Sequence, residues 1–342
     1  MRTKKIVSGL FVILIAIIAL LASLPGNIGE TPETEPSIEP EPPPSIDELI
    51  MPGDRTDGEI WLRVLFGEEI ATLPMERYLI GVVAAEMPAS FEPEALKAQA
   101  VAARTNALYN MYVKPKPRHP DAHVCADFAC CTAYSSSERL IEIWGADYVK
   151  NALRIISAIT ETSGEYISYE GEPILAVFHS SSAGKTETSG NVWVSDLPYL
   201  QSVDSPETAE HVPDFVSTVN VPRDVFVETV LEGFPDAAFE GGEGFWVTDV
   251  TYTESGRVDE LTVGGVAIRG TALRAMFKLR STYVSFEWSG DEIVFTATGY
   301  GHGVGMSQYG ANVMAAGGNN YEEILGAYYP GAALSYIPIP AA

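Results

Sequence analysis

Glu86 has the sequence context of a side chain that transfers protons. It ends the segment Met75–Glu86, whose composition predicts a helix, and Pro88 follows two residues later. Because the residue before a proline is disfavoured in helical conformation, the helix should end near Glu86. The negative end of the helix dipole and the apolar neighbours both raise the pKa of this carboxyl group. A general acid that works near neutral pH needs such a raised pKa.

Two histidines and all three cysteines of the chain form a second cluster, with the chemistry of a metal site. His119, Cys125, Cys130 and Cys131 would supply the four nitrogen and sulfur ligands that zinc prefers. His123 is the alternative nitrogen ligand. The alternatives to a metal are one disulfide with a free thiol, or three free thiols. Four protein ligands leave no open coordination position, so the predicted metal is structural.

Two glycine-containing loops, HSSSAGKTE and GYGHGVGMSQYGA, form a third candidate group. Glycines allow the backbone to approach a ligand closely, and the second loop presents one imidazole, that of His302. The GKT fragment is not a phosphate-binding loop, because that motif requires a glycine where His179 stands. The SQY segment that begins at Ser307 is also typical of a helix cap.

The elements that must position these residues alternate irregularly between helices and short strands, which predicts an α+β fold. The predicted strands are Glu59–Phe66, Glu165–Tyr169, Pro173–His179, Phe286–Trp288 and Ile293–Thr298. The predicted helices are Met75–Glu86, one that begins at Pro93, Glu138–Thr162, Thr271–Leu279 and Tyr321–Tyr328.

The N-terminus predicts a membrane anchor followed by a spacer. Residues 6–24 are uncharged and almost wholly apolar, close to the roughly 20 residues that span hydrocarbon, and three cations precede them. The positive-inside rule places residues 1–5 in the cytoplasm, and a cleaved signal peptide is the alternative. Residues 25–56, rich in proline and glutamate, predict a semi-rigid linker, and residues 57–338 predict one folded domain.

The chain of 342 residues is strongly acidic, with a net charge of −25 at pH 7. Its first 50 residues hold three basic and seven acidic side chains, so most of the negative charge belongs to the folded part. So few cations exclude a nucleic-acid-binding protein, and the acidic surface would repel anionic polymers. Since 46% of the residues are apolar, the chain can bury a core.

Three longer strings carry a family resemblance. They are PMERYLIGVVAAEMPASFEPEALKAQAVAARTNA (74–107), VFHSSSAGKTETSGNVW with the later PYLQSVDSPE (177–207), and ATGYGHGVGMSQYGA (297–311). Over about residues 57–338 the chain resembles the stage II sporulation protein D family, whose domain is shared with amidase-enhancer proteins. A membrane anchor before an extracytoplasmic domain is also the layout of that family.

This resemblance implies a peptidoglycan lytic transglycosylase that acts during engulfment of the forespore. The implied substrate is denuded glycan, from which an amidase has removed the stem peptides. The implied location is the mother-cell membrane, facing the intermembrane space. The implied partners are the amidase stage II sporulation protein P and the membrane scaffold stage II sporulation protein M. One acid/base suffices for this reaction, whereas a two-carboxylate hydrolase needs a second carboxylate about 5–9.5 Å away.

Carried over residue by residue, the resemblance assigns catalysis to Glu86. The side chains assigned to substrate binding are Arg104, Ser181, Lys185, His302 and Gln308. From the residues alone, Arg104 is better interpreted as part of a surface ion pair at a helix end.

Some relatives hold a structural zinc through a His…Cys…His-Cys pattern. This pattern maps onto His119, Cys125 and Cys131, with Cys130 in place of the second histidine. Because cysteine is also a zinc ligand, the site is expected to survive as three cysteines and one histidine.

Two other hypotheses belong to different functional classes. One is a non-enzymatic glycan-binding module that recruits and activates an amidase. The other is an exported structural metalloprotein without activity, which would bind a metal but no glycan. The chemical nature of the glycan product and the metal content separate the three.

Overall fold

The computed structural model describes residues 42–50, 57, 60–193, 195–240 and 246–337. Except for Pro42, these residues belong to one structural unit, Pro43–Ala342. The anchor predicted for residues 6–24 lies outside the described residues. Within the described part, no helix has the length and apolar composition needed to cross a membrane.

The elements alternate between helices and strands along the chain. The α-helices are α1 Ile46–Leu49, α2 Met75–Glu86, α3 Pro93–Leu108, α4 Ser137–Trp144, α5 Tyr148–Glu161, α6 Ser189–Val192, α7 Arg223–Gly233, α8 Gly270–Met276, α9 Gln308–Ala316 and α10 Tyr321–Tyr328. The strands are β1 Trp61–Phe66, β2 Glu69–Pro74, β3 Val124–Cys125, β4 Glu165–Tyr169, β5 Glu172–Pro173, β6 Phe178–His179, β7 Val216–Pro222, β8 Val247–Thr248, β9 Glu260–Val263, β10 Val266–Arg269, β11 Val284–Ser289, β12 Glu292–Thr298, β13 Met306–Ser307 and β14 Ala333–Tyr336.

Among the described residues, these strands form small sheets and no large one. Their orders are β2-β1-β3, β10-β9-β8, β11-β12-β7, β13-β6 and β14-β4-β5. Two short pairs are parallel, β1 with β3 and β6 with β13, and the other pairs are antiparallel. Small sheets among helices confirm the predicted α+β class.

The helix α3 forms the centre of the first hydrophobic core. Its alanines are almost inaccessible to solvent, with Ala98, Ala100 and Ala102 at 0% exposure, because other elements surround the helix. Side chains this small allow close backbone approach, and α2, α5, α9, α10 and β4 all pack against α3. The Glu86 helix and the helix that follows the second glycine loop therefore share one scaffold.

A second hydrophobic core lies within residues 221–297 and is rich in aromatic rings. Phe226 stacks on Phe277 with ring centroids 5.3 Å apart and meets Trp288 edge-on at 5.6 Å. Offset and edge-to-face pairs are the favourable geometries for such rings.

The folded part begins before residue 57, where the domain was predicted to start. Ser45 caps α1 through a capping box with Glu48, and Ile46 is fully buried in the first core. The end of the proline-rich segment is therefore part of the fold, because Ile46 packs into the first core. The helix predicted for Glu138–Thr162 is also interrupted, at Gly145, whose φ of 49° breaks it into α4 and α5.

Arg104 lies in the first core and has no exposed surface. Its guanidinium pairs with the equally buried Asp57, with Nε 2.8 Å from Oδ1 and Nη2 donating to Oδ2 at 3.1 Å. Further bonds go to the backbone oxygens of Ile159 and Glu165. The structure thus corrects both interpretations of Arg104, since a side chain enclosed in this way is neither a surface ion pair nor available to a ligand.

We expect Arg104→Met to lower the free energy of unfolding by about 3–5 kcal/mol, because it leaves the Asp57 carboxylate buried without its partner. Adding Asp57→Asn should recover part of this loss. Urea unfolding of the two variants measures both effects. A loss below about 1 kcal/mol for Arg104→Met would contradict the importance of this pair.

Candidate active site

Glu86 is the last residue of α2, and the chain becomes extended directly after it. Met87 has φ −130° and ψ 133°, and its N–H donates to the oxygen of Val83 at 3.0 Å. The helix therefore ends where the following Pro88 forces the backbone out of helical conformation, as predicted. This ending leaves the Glu86 side chain half-buried.

Two hydrogen bonds from distant parts of the chain hold the Glu86 carboxylate. The N–H of Ala133 donates to Oε1 at 2.9 Å, and Nε2 of Gln308 donates to Oε2 at 3.3 Å. Burial raises the pKa of Glu86, and the two donors, which favour the charged form, oppose this increase only in part. The carboxyl group is therefore shifted toward its protonated form and still has partners for its anion.

A cavity of about 360 Å³ adjoins this carboxylate, a volume in the range of small-ligand pockets. Its lining is made of Ala84, Ala85, Glu86, Met87, Pro88, Ala89, Trp144, Ser180, Gln308 and Tyr309. Glu86 is the one carboxylate among these described lining residues. The cavity thus presents a single acidic group among aromatic, amide and hydroxyl side chains.

The parallel pairing of β6 with β13 brings the two glycine loops together at this cavity. Ser307 stands opposite His179 in the register, so Gln308 and Ser180 leave the two strands at the same end. The backbone N–H of Tyr309 then donates to the oxygen of Ser180 at 3.0 Å. Two segments more than 120 residues apart in sequence therefore meet beside Glu86.

Glycines allow the second loop to pass close to the first. At Gly305 (φ 70°), an added Cβ would lie 2.1 Å from the backbone oxygen of Val177. At Gly301 (φ 118°), it would lie 2.7 Å from Cβ of His179. Both positions require glycine for space and for backbone conformation.

His302 lies half-buried on the second loop, between two other aromatic rings. Its ring centroid is 5.2 Å from that of the partly exposed Trp193 and 5.7 Å from that of the buried His179. Desolvation, with a smaller contribution from the charge of Arg274, lowers the pKa of His302 to about 4. The imidazole is therefore neutral at pH 7, and its Nδ1 accepts the N–H of Val304 at 3.1 Å.

The remaining predicted substrate residues occupy different positions on the first loop. Lys185 is partly exposed, with Nζ 3.9 Å from Oδ1 of Asp204. Ser181 is only 2% exposed, and its backbone pairs with that of Tyr300. Of the five residues predicted to bind substrate, the structure thus brings Gln308 into contact with Glu86.

The predicted metal ligands converge. The ligand atoms of His119, Cys125, Cys130 and Cys131 all lie within 4.8 Å of one another, and none of these cysteines is in a disulfide. Pairing of β3 with β1 fixes Cys125, and the N–H groups of Cys130 and Cys131 both donate to the backbone oxygen of Asp127 at 2.9 Å. Three thiols and one imidazole are a donor set that suits a closed tetrahedral zinc site.

The choice between the two candidate histidines follows from their hydrogen bonds. His119 Nδ1 lies 3.1 Å from the oxygen of Ala122, which leaves Nε2 facing Cys131 Sγ at 3.3 Å. A backbone acceptor on the other ring nitrogen is the usual arrangement for a metal-binding histidine. His123 instead accepts the backbone N–H of Arg63 through Nδ1 at 3.2 Å.

Several residues around the site were not predicted. Ala133 acts through its backbone N–H, for which an alanine gives no sequence signal. Trp144 and Tyr309 line the cavity, and Trp193 contacts His302. Trp193 and Tyr309 lie within the strings that carry the family resemblance, so both could have been named as site residues from those strings.

We expect Glu86→Gln to be as stable as the wild type or more stable at pH 7. Because burial holds the folded-state pKa of Glu86 above its unfolded value, stability from this group is greatest at low pH. It is lost as pH rises from the unfolded to the folded pKa. Thermal unfolding at pH 4 and pH 7 measures this, with the exposed Glu68→Gln as control. A lower Tm for Glu86→Gln at pH 7 would contradict the expected cost of the buried anion.

Comparison with known proteins connects this site to a family. A family model described as "Stage II sporulation protein" matches residues 67–169, which include Glu86, Ala133 and the four converging ligands. "Stage II sporulation protein D" of Bacillus amyloliquefaciens is 34% identical over 311 residues, covering 90% of this chain and 83% of its own. The protein of the same name in Bacillus subtilis (strain 168) is 36% identical over 273 residues, 78% and 76% of the two chains.

A protein named "Amidase enhancer" from Bacillus subtilis (strain 168) is also similar. It is 29% identical over 308 residues, which is 75% of this chain and 40% of that protein. The extent and identity of the first two alignments decide the assignment: the chain belongs to the stage II sporulation protein D family.

Proposed function

We propose that this chain is a membrane-anchored lytic transglycosylase that cleaves denuded peptidoglycan strands during forespore engulfment. The observation that carries the proposal is the Glu86 carboxyl group, half-buried beside a cavity, with a raised pKa and two hydrogen-bond donors. Membership in a family whose members are named for sporulation supports the biological setting.

In the proposed reaction Glu86 acts first as an acid. Its proton passes to the glycosidic oxygen, the bond from that oxygen to C1 breaks, and positive charge develops on the sugar ring. The anion that remains is stabilised by the N–H of Ala133 and by Gln308, which bind the charged form most strongly.

Glu86 then acts as a base. It takes the proton of the C6 hydroxyl of the same sugar, and that oxygen bonds to C1 to close a 1,6-anhydro ring. The proton lost in the first step is thereby regained, so one carboxyl group completes the cycle without a consumed water.

The substrate contacts follow the same cavity. We propose that Gln308, Tyr309 and the ring of Trp144, which line the cavity, offer the amide, hydroxyl and aromatic groups that recognise sugar hydroxyls and faces. The ring of Trp193, beside His302, is a further proposed contact. His302 and Lys185 remain proposed contacts on the two loops. The buried Ser181 remains a proposed contact through the backbone of its loop. Arg104 is not proposed as a contact, because it is enclosed in the core.

The residues predicted to hold a metal fit a structural zinc, and we propose that they bind one. Bound there, zinc would cross-link the loop around His119 to Cys125 of β3 and to the Cys130–Cys131 turn. The chain reaches Ala133 two residues after that turn. A fixed turn therefore helps to place the N–H that holds Glu86.

The location and partners are part of the proposal. Residues 6–24 would anchor the chain in the mother-cell membrane, with the folded domain in the intermembrane space. Stage II sporulation protein P would supply denuded glycan, and stage II sporulation protein M would act as the membrane scaffold.

A second candidate function is the activation of an amidase without catalysis. The similarity to the protein named "Amidase enhancer" favours it. Under this alternative Glu86 would contact glycan without transferring a proton, so its charge state would be irrelevant to the effect.

The enzyme proposal predicts that the wild type releases products with 1,6-anhydromuramic ends from denuded strands, as detected by mass spectrometry. Loss of the general acid should lower the rate of Glu86→Gln at least about 100-fold, while Glu68→Gln should match the wild type. Equal anhydro product from Glu86→Gln and wild type would contradict the proposal. Amidase stimulation that persists in Glu86→Gln, with no anhydro product from either, would favour the enhancer function.

The zinc proposal predicts about one zinc per purified chain by elemental analysis. Chelation, or a Cys125→Ser/Cys131→Ser double variant, should lower the Tm on the order of 5–10 °C, because the ligand-linked stabilisation is lost. Purified protein without stoichiometric metal, and with an intact bond between two of the cysteines, would overturn the proposal.

A further inference from the structure

Glu207 is a buried carboxylate that the proposed reaction does not use. It ends the PYLQSVDSPE string and is only 2% exposed. Three hydrogen bonds stabilise its carboxylate. Oε1 accepts the backbone N–H of Ser182 and the hydroxyl of Ser307, and Oε2 accepts the hydroxyl of Ser205. One side chain thus joins the first glycine loop, the second glycine loop and its own segment.

The bond to Ser307 connects Glu207 with the start of α9. Ser307 is the N-cap of this helix, since its Oγ accepts the N–H of Gly310 at 3.2 Å while its own proton goes to Glu207. The backbone oxygen of Ser180 is a second, more distant acceptor for this hydroxyl, at 3.4 Å. Gln308, the next residue, is the first of the helix and donates to Glu86.

Close packing reinforces this connection. A Cβ at Gly310 would lie 2.6 Å from Oε2 of Glu207 and 2.0 Å from the hydroxyl of Tyr328, which in turn bonds Ser205 at 2.7 Å. The Glu207 carboxylate therefore sits against the first turn of α9, where backbone N–H groups favour a negative charge. The absence of a side chain at Gly310 is what allows this approach.

We propose that Glu207 is a positioning residue for Glu86, because it fixes Ser307 and through the first turn of α9 holds Gln308 against the Glu86 carboxylate. Glu207 is not among the residues that line the cavity, and its carboxylate is hydrogen-bonded to Ser182, Ser205 and Ser307. Its role in catalysis rests on the proposed function. Its effect on the Glu86 carboxylate does not, so the two can be tested apart.

The first measurement is a ¹³C NMR titration of the Glu86 carboxyl group in the full chain. The Gln308 donor favours the charged form, so Gln308→Leu should raise the pKa of Glu86. Glu207→Ala and Ser307→Ala should raise it in the same direction, and Glu207→Ala should add little to Gln308→Leu. The exposed Glu210→Ala should leave it unchanged.

Glu207→Gln is the matched conservative variant. Its amide oxygen can accept from Ser182 and Ser307 as the carboxylate does, and its NH₂ can donate to Ser205, whose hydroxyl then turns to Tyr328. We expect the pKa of Glu86 and the anhydro-product rate to stay near wild type in this variant. In Glu207→Ala the rate should fall about ten- to a hundredfold, mainly in kcat.

An unchanged Glu86 pKa in folded Glu207→Ala and Ser307→Ala would overturn the inference, as would additive shifts in the double variant with Gln308→Leu. If Glu207→Ala does not fold, Ser307→Ala decides, because it retains the buried carboxylate and its packing. A further outcome is a Glu86 pKa that shifts as expected in the variants while the wild type makes no anhydro product. That pair of results would support the positioning role and reject the enzyme proposal.

Discussion

The Glu86 carboxyl group is held between partial burial, which favours its protonated form, and two hydrogen-bond donors, which favour its anion. A group that must give a proton and then recover it needs both influences at once. Burial comes from the end of an apolar helix, α2. The donors come from Ala133 and Gln308, so three separate parts of the chain must meet at the two oxygens of the Glu86 carboxylate.

Much of the surrounding structure serves that meeting. The alanine-rich helix α3 allows α2 and α9 to pack on one scaffold, and the β6–β13 pair places Gln308 beside Glu86. On the other side, the converging cysteines and His119 precede Ala133. The stability of the fold comes from burial of apolar side chains in the two hydrophobic cores, which allows the site itself to keep a costly half-buried carboxyl group.

Local signals in the sequence predicted the parts of this arrangement that depend on local physics. The flanking prolines and apolar composition gave α2 its bounds, Met75–Glu86, and the cysteine spacing identified four residues that the structure brings together. Contacts between residues far apart in sequence could not be predicted from local patterns. Nothing near Arg104 in sequence indicates Asp57, and an alanine carries no sign that its N–H will hold a carboxylate. The burial of Ile46 likewise depends on the assembled core and has no local signal in the sequence.

In the reaction that we propose, the Glu86 carboxyl group acts as an acid and then as a base, so that no water enters the product. Cleavage of denuded strands in H₂¹⁸O, followed by mass spectrometry of the new chain ends, distinguishes this reaction from hydrolysis. We expect 1,6-anhydro ends without ¹⁸O, formed by the wild type and not by Glu86→Gln. Reducing ends that carry one ¹⁸O from the solvent would show hydrolysis and contradict it.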